Sequence, residues 1–140
     1  IGVHLGGSLE FARDLGIFQN IVGIDNNPNC NKPEGTIVRI VDQNDTEGLK
    51  ALVEEFGGFD VVIDDGCHLP IPTRNCFTTL WPHTRWAYVI EDWSVAYMWP
   101  HECSDMAVLI GEIIRDMKQL GGREVCANYN ANFTQAYIIR

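Results

Sequence analysis

The sequence feature that most constrains the fold is a short apolar run that ends in an acidic residue, and it occurs four times. The runs "NIVGID", "TIVRIVD", "FDVVIDD" and "WAYVIED" end at Asp25, Asp42, Asp65 and Asp92. Amphipathic or polar segments separate these runs. Apolar runs without strict alternation are typical of strands in a parallel sheet that is covered on both faces. The pattern therefore predicts βαβ units.

The segments around these runs predict the remaining elements. Residues 1–18 predict the end of a strand, a glycine turn and a helix with Ser8 as its N-cap. Further helices are predicted within 45–58, ending at Gly57, within 71–81, opened by Pro72, and within 104–122, capped by Ser104. Residues 123–140 predict two strands joined by an Asn-rich turn. We therefore expect an α/β, Rossmann-like, doubly wound and mostly parallel seven-stranded sheet with an antiparallel edge strand.

The length of 140 residues is that of one domain, and we expect residues 1–140 to form a single domain. The chain begins at Ile1 inside a predicted strand, so we expect it to be a fragment that lacks upstream residues.

Trp86, at the start of a strand, is predicted to lie in the core. Trp93, Tyr97 and Trp99 follow the last acidic pair, where packing is the favoured interpretation and a substrate-pocket wall is the alternative.

Charge, cysteine content and hydropathy argue against several classes of protein function and location. The formal net charge is −9, from 19 acidic and 10 basic residues, which argues against nucleic acid as a partner. Two explanations of the acidic net charge are open: it attracts a cationic ligand, or it only keeps the protein in solution. The five cysteines include no CxxC pair, so we expect reduced thiols. No apolar run reaches the length of a membrane span and no signal peptide is visible. We expect a cytoplasmic protein.

Ligands bind at the carboxyl ends of strands in such sheets. After the first strand come Gly2, Gly6, Gly7 and Ser8, which allow a ligand to approach the backbone. Their spacing is not G-x-G-x-x-G, and a purely structural turn is the alternative. Asp25 lies 18 residues beyond Gly7, where an acid can accept hydrogen bonds from ribose hydroxyls. A solvated loop acid is the alternative.

Asp42 and Gln43 follow the third strand, where they can hydrogen-bond an adenine edge. The alternative is that Asn44 or Asp45 caps the next helix and that the neighbouring side chains face solvent.

The densest group of ionisable residues follows the fourth and fifth strands. Asp64, Asp65 and His68 follow one strand, and Glu91 and Asp92 follow the next. Adjacent strands lie about 4.8 Å apart, so these carboxylates can converge. Converging carboxylates repel unless a cation lies between them, and hard oxygen ligands favour Mg²⁺. The alternative is a set of caps and solvated loop acids. An imidazole beside such a site suits general-base catalysis, which assigns that role to His68.

The motifs "GVHLGGSL", "GID", "VVIDDGCH" and "YVIEDW", in this order, resemble metal-dependent class I S-adenosylmethionine methyltransferases. The nearest group is the macrolide-sugar O-methyltransferases of the mycinamicin and macrocin type, with relatives described as cephalosporin hydroxylases or rhamnosyl O-methyltransferases. The resemblance covers nearly the whole chain. The family usually has Ser where this chain has Cys67.

The resemblance implies roles for the same residues. The glycine turn of Gly2, Gly6, Gly7 and Ser8 would pass the methionine end of S-adenosylmethionine, and Asp25 would hold its ribose. Asp42 and Gln43 would lie near adenine, with Asp64 on the cofactor side of its strand. Asp65, Glu91 and Asp92 would bind Mg²⁺, and His68 would be the catalytic base.

The activity implied is methyl transfer from S-adenosylmethionine to a hydroxyl of a sugar or polyol-bearing small molecule, in natural product biosynthesis. Three alternatives remain open at this stage: a catechol-type O-methyltransferase, a nicotinamide-dependent oxidoreductase and a non-catalytic methyltransferase-like binding module. The sequence leaves both a monomer and a homo-oligomer open.

Overall fold

The computed structural model describes residues 1–94, 105–130 and 133–140, without the side chains of 128–130 and 133. The predicted positions of Tyr97, Trp99 and Ser104 lie outside the described residues. The helices and strands described are α1 Gly7–Leu15, β1 Val22–Asp25, β2 Ile37–Ile40, α2 Thr46–Phe56, β3 Phe59–Asp64, α3 Pro70–Leu80, a 3-10 turn Trp81–His83, β4 Thr84–Glu91, α4 Met106–Asp116, β5 Glu124–Asn130 and β6 Phe133–Ile139.

The strands form one parallel pair and one mixed sheet. β1 pairs with β2 in parallel, and the second sheet has the order β3-β4-β6-β5. Within it β3 and β4 are parallel, whereas β6 is antiparallel to both β4 and β5. The α/β class and the antiparallel edge are therefore as predicted. The described residues contain six strands in two sheets, so a single seven-stranded sheet stays a prediction.

The first two residues join the two sheets. The Gly2 N–H donates to the carbonyl of Ile24 in β1 at 2.9 Å. On the other side, the Ile1 amino group donates to the Ile63 carbonyl in β3 at 2.7 Å, and the Asp65 N–H donates to the Ile1 carbonyl at 3.1 Å. The start of the chain thus lies between β1 and β3, as the predicted strand end requires, and it brings their carboxyl ends together.

Helices α2, α3 and α4 contribute to one apolar core with β1, β3, β4 and β6. Leu49 and Leu52 of α2 are buried, as their spacing predicts. The Asp45 carboxylate caps α2 by accepting from the Gly48 N–H at 2.9 Å, and Gly57 ends the helix in the left-handed conformation.

Two local predictions are wrong. Ser8 is not the N-cap of α1, because Gly6 adopts a φ of 83° there and the helix already begins at Gly7. Trp86 is not core but 67% exposed. The pairing of β3 with β4 is irregular between Phe59 and Val61, and this bulge turns Trp86 outward, whereas Tyr88 is fully buried.

Coverage of the sheets is uneven. No residue of α1 is buried, and Val61 and Ile63 of β3 are 37% and 48% exposed. They line an apolar groove between β1 and β3 together with Ile1 and Val22. The expected cover on both faces is therefore incomplete among the described residues. None of the helices described there has the length and apolar character of a membrane span.

Candidate active site

A cavity of about 590 Å³ opens at the carboxyl ends of β1, β2 and β3. Its volume lies within the range of about 300–1,000 Å³ typical of small-molecule sites. Four of the predicted cofactor-binding residues line it, namely Gly2, Asp25, Asp42 and Gln43. Asp65, Gly66, Cys67 and His68 also line it. Gly6, Gly7, Ser8 and Asp64 are not part of the lining.

Asp25 holds the glycine turn in place. Its Oδ2 accepts hydrogen bonds from the N–H groups of Val3 and His4, both at 2.9 Å, and its Oδ1 accepts from the Asn27 N–H at 2.8 Å. Burial alone would raise the Asp25 pKa, but these hydrogen bonds outweigh it and lower the pKa. Asp25 is therefore an anion at the cavity wall.

Asp42 is a second anion on the same wall. Its Oδ1 accepts from the Asn44 N–H at 2.7 Å and its Oδ2 from the Asn26 amide at 3.2 Å. Both hydrogen bonds lower its pKa. The sequence offers a helix cap at Asn44 or Asp45 as the alternative for this segment, and Asp45 does cap α2.

Gly2 is required by a close backbone contact. It adopts a φ of 84°, and a Cβ at this position would lie 2.2 Å from the Asp65 carbonyl oxygen. Only glycine lets the start of the chain pass so close to the turn after β3. This contact places the start of the chain directly against the turn that bears Asp65 and His68.

Asp65, His68 and Asp92 form the candidate metal centre. One ligand atom from each lies within 4.8 Å of the others, and all three residues are partly buried. The His68 Nε2 is 3.9 Å from the Asp65 Oδ1, which is beyond hydrogen-bond distance. The carboxyl ends of β3 and β4 thus converge, although the predicted ligand Glu91 is not a member of this group.

Glu91 is adjacent but held by a different partner. Its Oε1 accepts a hydrogen bond from the Gln135 amide of β6 at 3.0 Å. Gln135 accepts in turn from the Tyr137 hydroxyl, which fixes the amide so that its NH₂ group faces Glu91. Glu91 therefore keeps its Oε2 for another ligand.

Asp64 faces the core, and it is 2% exposed. Its Oδ2 accepts from the buried Tyr88 hydroxyl at 2.9 Å, and its Oδ1 accepts from the Gln43 amide at 3.0 Å. Gln43 Oε1 accepts from the Cys67 N–H at 2.9 Å. The Gln43 side chain is thus hydrogen-bonded at both ends within the protein.

Comparison with known proteins identifies relatives of this arrangement. No protein-family model matches the chain. The mycinamicin VI 2''-O-methyltransferase of Micromonospora griseorubida is 41% identical over 98 residues, which cover 68% of this chain and 24% of the relative. The demethylmacrocin O-methyltransferase of Streptomyces fradiae is 41% identical over 98 residues, covering 68% of this chain and 25% of the relative.

A solved structure extends the similarity to the fold. The MycE methyltransferase of the mycinamycin biosynthetic pathway, in complex with Mg, SAH and mycinamycin VI, matches with a TM-score of 0.74 and 30% identity. The match covers 95% of this chain and 39% of that protein. The chain is a relative of the macrolide-sugar O-methyltransferases. The family resemblance in the motifs is confirmed, and the fold is Rossmann-like. The chain spans about a quarter of the length of the curated relatives it matches.

The electrostatics of this methyltransferase-like site favour a cation. Burial raises the pKa of Asp65, and the nearby Asp92 raises it further. Burial also raises the pKa of Glu91, with Asp65 adding to the effect. Carboxylates that repel across a partly buried site gain from a bound positive charge.

Backbone strain is concentrated around the same site. Among the described residues, three non-glycine residues have positive φ: His4 at 47°, His68 at 55° and Asp92 at 48°. Such conformations cost about 1–3 kcal/mol each and persist where the surroundings enforce them. His68 and Asp92 belong to the candidate metal centre, and His4 lines the cavity.

Sequence reasoning missed the residues that support the acids. Tyr88, Asn26, Gln135 and Tyr137 each hydrogen-bond directly, or through one residue, to a predicted site acid. Glutamine, asparagine and tyrosine in strands and loops are common and carry no spacing signal. The register of β6 with β4, which pairs Gln135 with Glu91, is the fact that would have found one of them.

Proposed function

We propose that this chain carries the active site of a Mg²⁺-dependent O-methyltransferase that uses S-adenosylmethionine and methylates a hydroxyl of a sugar-bearing small molecule. The observation that carries the proposal is the convergence of Asp65, His68 and Asp92 within 4.8 Å beside the cavity of about 590 Å³. The mycinamicin and macrocin relatives act as O-methyltransferases by name, and the MycE structure contains Mg and SAH.

The donor set fits a hard divalent cation. Asp65 and Asp92 offer carboxylate oxygens, Glu91 keeps Oε2 available, and no described thiolate joins the group. Burial is the main cause that raises the pKa of Asp65 and of Glu91, and repulsion from a neighbouring carboxylate adds to it, so a bound cation would relieve both effects. When bound, such an ion supplies positive charge that favours ionisation of a nearby hydroxyl.

The cavity wall fits the nucleoside part of the cofactor. Asp25 and Asp42 are anionic acceptors at adjacent strand ends, and Gly2 and Gln43 lie beside them. We assign the ribose to the side of Asp25 and the adenine to the side of Asp42 and Gln43. Asp64 supports this wall through its hydrogen bond with Gln43, whereas Gly6, Gly7 and Ser8 do not line the cavity.

His68 is the proposed general base. Its Nε2 accepts the proton of the acceptor hydroxyl as that oxygen forms a bond to the methyl carbon. The C–S bond breaks in the same step, and its electron pair stays on sulfur. The imidazole is held beside the acids by the turn after β3, and its side chain is 25% exposed. Fixed placement of the two reactants supplies much of the remaining rate acceleration.

We also propose that the two sheets are parts of one seven-stranded sheet in a single domain, since Gly2 hydrogen-bonds to β1 and Ile1 to β3.

A glycosylated metabolite in the cytoplasm is the expected acceptor. Nucleic acid is not expected, because the net charge is −9.

Calorimetry and a methylation assay test the proposal. S-adenosylhomocysteine should bind to the chain and NADH should not, whereas the reverse result would favour an oxidoreductase. Methyl transfer to mycinamicin VI or another glycosylated acceptor should stop in EDTA and return with Mg²⁺. Full transfer in EDTA would contradict the metal assignment. Methylation of a catechol alone would move the assignment to an aromatic diol.

A further inference from the structure

We propose that Gln43, at the proposed adenine side of the cavity, is also a positioning residue for the metal-binding turn, and that its amide fixes the segment Asp65–His68. This proposal rests on the proposed metal-dependent function. Gln43 follows β2, whereas the turn follows β3, and 24 residues separate Gln43 from Cys67.

The direction of the Gln43 amide is set by its hydrogen-bond partners. Tyr88 is fully buried and donates its hydroxyl proton to Asp64 Oδ2. The other oxygen of Asp64 then accepts from Gln43 Nε2 at 3.0 Å. A backbone N–H can only donate, so the bond from Cys67 requires the Gln43 carbonyl to face the turn, and the NH₂ group then faces Asp64.

The Gln43 carbonyl meets the middle of the turn. Its Oε1 accepts from the Cys67 N–H at 2.9 Å. Cys67 lies between Asp65 and His68, which both belong to the candidate metal centre. A bond at this point fixes the separation of the two side chains, and it supports His68 in a conformation with a φ of 55°.

Gly66 completes the contact. A Cβ at Gly66 would lie 2.3 Å from Gln43 Oε1 and 2.6 Å from its Cδ, so the amide packs directly on the turn backbone. The positions of Gln43 and Gly66 are therefore coupled. Outer partners of metal sites change metal affinity by about 10–100-fold when they are removed.

The test is a titration of the whole chain with Mn²⁺, in the absence of cofactor and acceptor, in which electron paramagnetic resonance measures the bound Mn²⁺. Gln43→Ala should weaken Mn²⁺ binding by roughly tenfold or more. Gly66→Ala should do the same, because its methyl group displaces the amide. The double variant should bind no more weakly than Gln43→Ala, since the smaller side chain leaves room for that methyl. Gln119→Ala, at an exposed glutamine beyond α4, is the matched control and should bind Mn²⁺ like the wild type.

Amide hydrogen exchange of the unmodified chain gives a second measurement. The Cys67 amide should exchange slowly although Cys67 is exposed, because its N–H is bonded to Gln43. Mn²⁺ affinity within twofold of wild type in Gln43→Ala, or a rapidly exchanging Cys67 amide, would overturn the role of Gln43 alone. A wild-type chain that binds no Mn²⁺ would instead overturn the proposed metal-dependent function.

Discussion

The two strand ends that form the candidate metal centre are built in different ways. The turn after β3 is held from below, through Asp64 and Gln43, by the fully buried Tyr88. The end of β4 is held from the side, where Gln135 of the antiparallel strand β6 fixes Glu91. Gln43 therefore supports the end of β3, and Gln135 supports the end of β4.

This difference suggests a division of labour. The turn after β3 carries both a metal-ligand candidate and the proposed base, so its geometry must be set for two functions at once. The end of β4 carries carboxylates only, and Asp92 there has a φ of 48°. We therefore expect catalysis to be more sensitive to changes at the β3 turn, and metal binding to depend on both ends.

The largest effect is expected at His68. His68→Ala should lower the methyl-transfer rate by about 10²–10⁴-fold, which is the usual contribution of a general base. Mn²⁺ affinity should fall less than it does when Asp65 is replaced, because the base assignment places His68 beside the metal rather than in its ligand set. Rate assays and Mn²⁺ titrations of the same variant separate the two roles. A loss of Mn²⁺ affinity equal to that of Asp65→Asn would make His68 a ligand.

Replacing the acids compares the two strand ends directly. Asp65→Asn should weaken Mn²⁺ binding by more than the roughly 10–100-fold expected for an outer partner. Glu91→Gln should have a smaller effect, since Glu91 Oε1 is already bonded to Gln135. Titration of both variants checks the order, and a larger loss in Glu91→Gln would reverse our ranking of the two strand ends.

Much of this site could be predicted from the sequence, because its acids follow apolar runs that end at the same edge of a sheet. The metal ligands Asp65, Glu91 and Asp92 and the base His68 are predicted in this way; the structure brings Asp65, His68 and Asp92 together without Glu91, and Asp25 and Asp42 line the cavity. The supporting contacts could not be predicted. Gln135 and Glu91 are 44 residues apart, and their contact depends on the register of β6. Trp86 shows the same limit, since a bulge reversed its expected direction.

A smaller effect is expected where Gln135 supports Glu91. Gln135→Leu should weaken Mn²⁺ binding by roughly tenfold, because Glu91 loses the donor that orients it. Tyr137→Phe should have a weaker effect in the same direction, since it frees the Gln135 amide to rotate. A titration in which Tyr137→Phe exceeds Gln135→Leu would show that Tyr137 acts by another route.

The smallest effect is expected in the pH dependence of the free energy of unfolding, to which Asp25 and Asp64 should contribute with opposite signs. Hydrogen bonds lower the Asp25 pKa in the folded chain, so the folded state binds fewer protons there than the unfolded state, whose Asp pKa is about 3.9. The stabilisation is present above that value and is lost as the pH falls through the lowered folded pKa. Burial raises the Asp64 pKa, so its contribution instead decreases as the pH rises above the unfolded value.

Urea unfolding at a series of pH values checks both signs. Asp25→Asn should reduce the acid-side loss of stability, because the group that takes up a proton on unfolding is gone. Asp64→Asn should reduce the loss on the other side of the unfolded pKa. The new amide in Asp64→Asn would also present an NH₂ group to either Tyr88 or Gln43, where only an acceptor fits, so the stability of this variant should be lower at every pH. Equal pH slopes in the two variants would show that the carboxylates at these strand ends are not distinguished by their surroundings.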